Sequence, residues 1–120
     1  MPLDHHKLEV YRVAREVARD VHLLMKQAPR RRPDLIDQLN RAVASMVLNI
    51  AEGAGEFRPK EKARFYRMSR RSADEASTVL DLLVDVEVLT APNITPVQQK
   101  IEGVIGRLVR LIQNQELRVR

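Results

Sequence analysis

Basic side chains crowd one stretch of the chain, residues 56–72, where seven bases face only two acids. Four of the seven repeat at intervals of four, three and four residues, so a helix would carry them on one face: Lys60, Arg64, Arg67 and Arg71. The next stretch, residues 73–89, has five acids and no base. This order opposes the helix dipole, which favours acids at the start of a helix and bases at its end. Because folding does not require such a distribution, it points to a surface that binds anions.

The anion predicted to bind here is the phosphate of a nucleic acid, because exposed arginines grip phosphate oxygens. The predicted contacts add five arginines to the helical face: Arg30, Arg31, Arg32, Arg58 and Arg70. Aromatic residues interleave poorly with these bases, so base stacking is not expected and binding would be mostly electrostatic. Two alternatives stay open. The basic half could meet an acidic half of another subunit or helix, or it could be plain solvated surface.

A second regular pattern is polar and precedes the basic stretch. Its members are spaced by three, four, four and three residues: Gln38, Arg41, Ser45, Asn49 and Glu52. One interpretation is a solvated helix face. The other is that Asn49 and Glu52 are partly buried and pair with the following helix, where they would fix its register. The predicted polar network then comprises Arg41, Asn49, Glu52, Ser72 and Glu75.

Catalytic chemistry has little support in the sequence. The chain has no cysteine, which excludes disulfides, thiolate metal sites and cysteine nucleophiles. A glycine-rich phosphate loop, zinc-ligand spacing and a serine nucleophile motif are absent. His5 and His6 are adjacent and would point apart on a helix. The sequence therefore predicts a protein that is not an enzyme and that holds no metal or cofactor.

Composition is that of a soluble globular protein, with 44% hydrophobic and 31% charged residues among 120. This length predicts one domain, residues 1–120. Aromatic residues make up only 3%, so the core must be aliphatic. No apolar run approaches the roughly 18 residues that span a bilayer, and no signal peptide is recognised at the start. A cytoplasmic location is the default expectation.

The first two predicted helices span residues 4–28 and 33–52. Asp4 is the expected N-cap of the first helix, and Pro33 suits the first position of the second. Gly53 or Gly55 is expected to close the second helix in the left-handed conformation. The apolar residues of the second helix have the spacing of a bundle seam: Ile36, Leu39, Val43, Met46 and Ile50.

The third predicted helix spans residues 59–89, and the fourth begins with a capping box at Thr95-Pro96-Val97-Gln98. The apolar stripe of the third helix is Phe65, Met68, Ser72, Ala76, Val79, Leu82, Val86 and Leu89. Gly103 and Gly106 indicate either the close approach of another helix or a frayed surface. Strand alternation is absent and the connections are short. The predicted fold is all-α, an antiparallel up-down-up-down four-helix bundle.

One set of motifs covers nearly the whole chain. It comprises Leu8-Glu9-Val10-Tyr11, Gln38-Leu39-Asn40-Arg41-Ala42, Ser45, Asn49-Ile50-Ala51-Glu52-Gly53 with Gly55, Phe65-Tyr66, Ser72-Ala73 and Glu75. These motifs resemble those of bacterial four-helix-bundle proteins. That family includes proteins encoded in intervening sequences of large-subunit rRNA genes and the accessory variability proteins of diversity-generating retroelements.

The resemblance implies a homopentamer with a basic surface. It also implies, for retroelement members, binding to nucleic acid and to a reverse transcriptase. The chain departs from the usual pattern at three positions. Glu56 stands where a basic residue is common, Arg71 where a glycine is common, and Arg58 where a serine-like cap is common. The first departure weakens the basic surface locally, and the second strengthens it.

The function predicted from the sequence is that of a non-enzymatic homo-oligomer. It would bind structured nucleic acid, with RNA preferred over DNA as the expected ligand, through the basic face of the third helix. The alternative is a protein-interaction scaffold or accessory subunit, for example of a reverse transcriptase, with incidental affinity for RNA.

Overall fold

The computed structural model describes residues 4–119, apart from the side chains of His6 and Lys7. A short 3-10 helix, Asp4–Lys7, precedes four α-helices: α1 (Glu9–Gln27), α2 (Pro33–Gly55), α3 (Pro59–Asp85) and α4 (Ala91–Leu117). No strand occurs in this part of the chain. The predicted all-α fold is confirmed.

Helices α2 and α3 run antiparallel. Three hydrogen bonds join α2 to α3 with ascending numbers on α2 and descending numbers on α3: Gln38–Glu75, Ser45–Ser72 and Gly53–Lys62. The helices pack in a closed order, α1 on α2, α2 on α3, α3 on α4 and α4 on α1. The result is a bundle of 49 × 29 × 22 Å.

The core is aliphatic. The largest fully buried side chains of α2, α3 and α4 are those of Leu39, Met46, Ile50, Leu80, Leu83, Ile101 and Leu108. Helix α1 contributes two smaller ones, Val17 and Val21. The predicted seam of α2 is buried, except that Ile36 is only half-buried. Each such leucine or isoleucine contributes about 1.5–3 kcal/mol by leaving water.

Of three predicted helix ends, the structure confirms one and contradicts two. Asp4 is not the N-cap of α1, because it lies in the separate 3-10 helix and Leu8 precedes α1. Pro33 does begin α2, as predicted. The prediction that Gly53 or Gly55 closes α2 in the left-handed conformation is wrong, since neither glycine has a positive φ and α2 runs through both. Lys62 instead caps α2, with Nζ donating to the carbonyls of Gly53 at 3.2 Å and Ala54 at 2.9 Å.

Helix α3 ends at Asp85, not at residue 89 as predicted. Glu87 has a φ of 64°, and the amides of Glu87 and Val88 donate back to the carbonyls of Val84 and Leu83. This pairing is a Schellman motif, whose left-handed position is usually glycine. Because a glutamate occupies it here, the sequence carries no visible stop signal.

Helix α4 begins earlier than predicted. Thr90 is its N-cap, with Oγ1 accepting from the amide of Asn93 at 3.3 Å and the Asn93 side chain accepting from the amide of Thr90. The predicted capping box at Thr95 is therefore wrong, and Pro96 lies inside the helix. The earlier start makes Ile94 helical and buries it in the core.

The predicted apolar stripe of α3 is partly wrong. Met68 and Leu82 are 37% and 42% exposed, whereas Ser69 and Ala73 are fully buried. Small side chains occupy the interior because α2 approaches closely there. Ser69 Oγ donates to the carbonyl of Met46 at 2.7 Å.

The glycines of α4 do not receive another helix of this chain. A Cβ added at Gly106 would meet nothing within 4 Å, and one at Gly103 would meet only the Arg107 side chain. Within the described residues the close approach of another helix is therefore not seen, and the frayed surface is not seen either, because α4 continues through both glycines.

Candidate nucleic-acid interface

The basic face lies on the outer side of α3, opposite the buried Tyr66, Ser69 and Ala73. Its four members are all exposed: Lys60, Arg64, Arg67 and Arg71. From the first to the last, the face extends about 16 Å along the helix at 1.5 Å per residue. It is long enough to contact several phosphates of one strand.

Arg64 is the most constrained member of the face. Its guanidinium pairs with Glu61 at 3.0 Å and lies 4.5 Å from the ring centroid of Phe65. Such stacking on an aromatic ring favours arginine over lysine at this position. The Glu61 carboxylate offsets part of its charge, so Arg64 contributes less to binding a phosphate than an unpaired arginine would.

Three further guanidinium groups converge on the middle of α3. Arg67, Arg70 and Arg71, together with Asp74, line a shallow depression of about 240 Å³. Among the described residues, none of these arginines forms an ion pair within 4 Å. The depression therefore offers three positive charges against one negative charge, and it suits an anionic group better than a neutral one.

Arg58 extends this surface beyond the first turn of α3. It is exposed and occupies the N-cap position without a side-chain cap. The free amides of a helix N-terminus carry partial positive charge, which adds to that of Arg58 and Lys60. Phe57, next to Arg58, is 96% exposed.

The arginine loop lies at the other end of the bundle. Arg31 Nη2 donates to the carbonyl of Glu87 at 2.7 Å, just beyond the end of α3. Arg71, the nearest member of the basic face, lies about 24 Å away along the helix from Glu87. Arg32 pairs with Asp34 at 2.9 Å, which lowers the pKa of that carboxyl to about 2. The predicted nucleic-acid contacts therefore form two separate groups, with Arg30, Arg31 and Arg32 in the distant one.

The separation of these two groups could have been predicted from the sequence. An up-down bundle places the loop between the first two helices at the end where the third helix finishes. That end carries the acidic half of α3, with Asp81 and Asp85 exposed. Gln98 Nε2 donates to Asp81 at 2.8 Å and adds no positive charge. The acidic half of α3 therefore separates the arginine loop from the positive charges at residues 58–71.

The polar pattern of α2 becomes a seam against α3. Ser72 Oγ donates to Ser45 Oγ at 2.8 Å, and Asn49 Nδ2 donates to the same hydroxyl at 3.0 Å. Gln38 donates to Glu75 at 3.3 Å near the other end of α2. The structure thus brings Asn49 to Ser72 through Ser45.

Two members of the predicted network lie outside this seam. Glu52, expected to be partly buried, is exposed, and Arg41 is exposed as well. Within the described residues, neither forms a hydrogen bond or an ion pair. Sequence reasoning missed Ser69, which is fully buried and supplies a direct bond between α3 and the backbone of α2.

The Asn-Ile-Ala-Glu-Gly motif has a packing role. A Cβ on Gly53 would lie 2.6 Å from Cε1 and 2.8 Å from Cδ1 of Tyr66, so the tyrosine ring occupies the space that glycine leaves. Burial raises the pKa of the Tyr66 phenol. Ile50 of the same motif is fully buried. The motif positions α3 and does not itself face the basic surface.

The described residues contain no group of three or more histidine, cysteine, aspartate or glutamate side chains placed to hold a metal ion. The His6 side chain, named with His5 in the sequence analysis, lies outside them. None of the four helices combines the length and apolarity that crossing a membrane requires.

Comparison with known proteins adds one family. The family model described as 23S rRNA-intervening sequence protein matches residues 6–110, which include all of α1, α2 and α3 and most of α4. No curated protein matches the chain.

Proposed function

The chain belongs to the 23S rRNA-intervening sequence protein family, and on that premise we propose that it is a non-enzymatic helical bundle that binds structured RNA. The contacts are the exposed bases of α3: Arg58, Lys60, Arg64, Arg67, Arg70 and Arg71. Arg30, Arg31 and Arg32 form a secondary contact at the other end of the bundle.

The mechanism is phosphate neutralisation. Each guanidinium or ammonium group that reaches a phosphate releases condensed counterions, so affinity falls steeply with salt. The bases project from one rigid helix and need no ordering of the backbone when RNA binds. Because the depression on this face is shallow and lined by charged side chains, recognition follows the spacing of phosphates in a folded RNA.

The observation that supports this proposal most strongly is the outward orientation of Lys60, Arg64, Arg67 and Arg71 together. Like charges three and four residues apart on a helix repel by a few tenths of a kcal/mol for each pair. The fold leaves this repulsion uncompensated except at Arg64, which pairs with Glu61. An anionic partner would remove it.

The test replaces three arginines by acids: Arg64→Glu, Arg67→Glu and Arg71→Glu. We expect this variant to lose retention of a labelled 23S rRNA fragment in filter binding, with an unchanged thermal melt because all three side chains are exposed. The matched control changes net charge equally at exposed sites outside the proposed RNA contacts: Lys26→Glu, Arg110→Glu and Arg118→Glu. Equal losses in both variants would attribute binding to net charge, and retention by the first variant would reject the proposed face.

Several copies of the chain act together in this proposal, five by the resemblance described above. Repeating the basic face raises affinity for a long RNA through effective concentration. Light scattering gives the number of copies, and a monomer at working concentration would reject this part.

A further inference from the structure

A groove between α1 and α2 stands open on the side away from α3. It has a volume of about 400 Å³, and apolar groups of Tyr11, Ala44, Val47 and Leu48 line it. Leu48 is 64% exposed, although it lies in the middle of a helix. An exposed leucine beside a concave apolar surface is typical of a contact with another macromolecule.

The rim of this groove is positively charged. Arg15 and Arg19 line it, and both are exposed. The Arg15 guanidinium lies 5.7 Å from the ring centroid of Tyr11, which holds it beside the apolar floor. Neither arginine forms an ion pair among the described residues. The occupant should therefore combine an apolar side chain with carboxylates.

The chain carries such a surface at the acidic end of α3. Leu82 is 42% exposed, and Asp85, one helical turn further along, is exposed beside it. Asp81 adds a second exposed carboxylate next to Leu82. This acidic patch and the groove lie on different sides of the bundle, so one molecule cannot join its own two surfaces.

We propose that the acidic patch of one copy, Leu82 with Asp81 and Asp85, docks into the α1–α2 groove of a second copy. The contact is head-to-tail, because two grooves facing each other would oppose arginine to arginine. Leu82 meets Leu48 on the groove floor, and the aspartates meet Arg15 and Arg19. The inference supplies the interface for the homo-oligomer of the proposed function, and it leaves the basic face of α3 open in every copy.

The test uses two variants that each disable one surface. Arg15→Glu with Leu48→Glu disables the groove, and Leu82→Gln with Asp85→Gln disables the patch without giving it a charge that the altered groove could bind. All four side chains are exposed, so circular dichroism should show the helical content and melt of the unaltered chain. Leu23→Glu, at another leucine of α1 that is 56% exposed, is the matched control.

Light scattering without nucleic acid should find the unaltered chain and the Leu23→Glu control assembled, and each double variant monomeric. An equimolar mixture of the two double variants should form dimers and nothing larger, since only one functional groove and one functional patch remain in each pair. Each double variant should weaken self-association by about tenfold or more, because the first places like charges across the contact and the second removes its leucine and one of its carboxylates.

Three results would overturn the proposal. These are a monomeric unaltered chain, double variants that assemble as the unaltered chain does, and a mixture that stays monomeric. Because no RNA is present, any of them leaves the RNA proposal standing. Conversely, loss of the RNA proposal through the arginine variants of α3 would leave this interface untouched.

Discussion

The salt dependence of RNA binding provides the most quantitative test of the basic face. The perturbation is Arg67→Gln with Arg71→Gln, which removes two of the four charges on the face and introduces no acid. Both side chains are exposed and unpaired within the described residues, so each should contribute fully. Arg64 keeps its pairing with Glu61, and Lys60 stays in place.

The expected magnitude follows from counting phosphates. The six contacts proposed on α3 give a slope of log affinity against log salt of about −4 to −5, since each contributes about 0.7 to 0.9, and the double variant keeps four of them, for a slope of about −3 to −4. Between roughly 50 and 200 mM salt, affinity should therefore fall about a thousandfold for the unaltered chain and about a hundredfold for the double variant. Contacts of the arginine loop add the same amount to both slopes, so the two slopes should still differ by about 1.4 to 1.8 for each bound copy.

The assay is a filter-binding titration of a labelled 23S rRNA fragment at four or more salt concentrations. Lys26→Gln with Arg118→Gln is the control, because it removes two exposed charges outside the proposed RNA contacts. We expect the control to keep the original slope. A double variant whose slope equals that of the unaltered chain would show that phosphate does not contact Arg67 and Arg71, whatever its absolute affinity.

Three further predictions concern the fold. Gly53→Ala should lower the free energy of unfolding by about 1–3 kcal/mol, because the added Cβ would overlap the buried Tyr66 ring. Gly55→Ala should not lower it, since a Cβ there would meet nothing within 4 Å. Urea titrations of the two variants test this difference. Glu87→Gly should raise the free energy of unfolding by about 0.5–1 kcal/mol, because the strain of a left-handed residue exceeds the entropy cost of glycine; a lower melting temperature would contradict this. The raised pKa of Tyr66 means that the folded state holds the phenolic proton more tightly, so its stabilising contribution is complete below about pH 10 and is lost as pH rises further. Tyr66→Phe should lack this alkaline component in urea midpoints measured at both sides of that pH, and an identical alkaline loss in both proteins would assign it to other groups.

Sequence periodicity was sufficient to predict that four helices form and which face of α2 is buried in the core. Leu39, Met46 and Ile50 recur at helical spacing and are fully buried. It failed for α3, where large apolar residues lie on more than one side. The predicted stripe included Met68 and Leu82, but close packing on α2 selects Ser69 and Ala73, whose small side chains give no hydrophobic signal.

The ends of the helices were less predictable, for a local reason. A glycine or proline in the sequence shows which backbone conformations are possible at that position, but not which of them the folded chain adopts. Gly53 permits the left-handed conformation, yet its helical φ and absent Cβ serve the packing of Tyr66. Glu87 adopts the left-handed conformation although it is unfavourable for a residue with a side chain, because two backbone hydrogen bonds stabilise the turn. Such choices depend on tertiary contacts that a single local window does not contain.

The candidate site shows the same division between local and global information. Spacing alone predicted that Lys60, Arg64, Arg67 and Arg71 share a face, because that property belongs to one helix. Whether the arginine loop joins them depends on which end of the bundle it occupies. The antiparallel topology answers this, because Arg31 contacts the carbonyl of Glu87, which lies about 24 Å from Arg71 in the direction of the helix axis.

The motif on which the resemblance to this family rests most and the surface proposed to bind RNA are physically distinct. In Asn49-Ile50-Ala51-Glu52-Gly53, the asparagine bonds to Ser45, the isoleucine fills the core and the glycine admits the Tyr66 ring. Substitutions there should act through stability. Apart from Lys62, which caps α2, the bases of α3 contact little within the bundle, so their substitution should act through binding. A variant of α3 that binds normally and a variant of the motif that binds poorly while fully folded would together reverse this assignment.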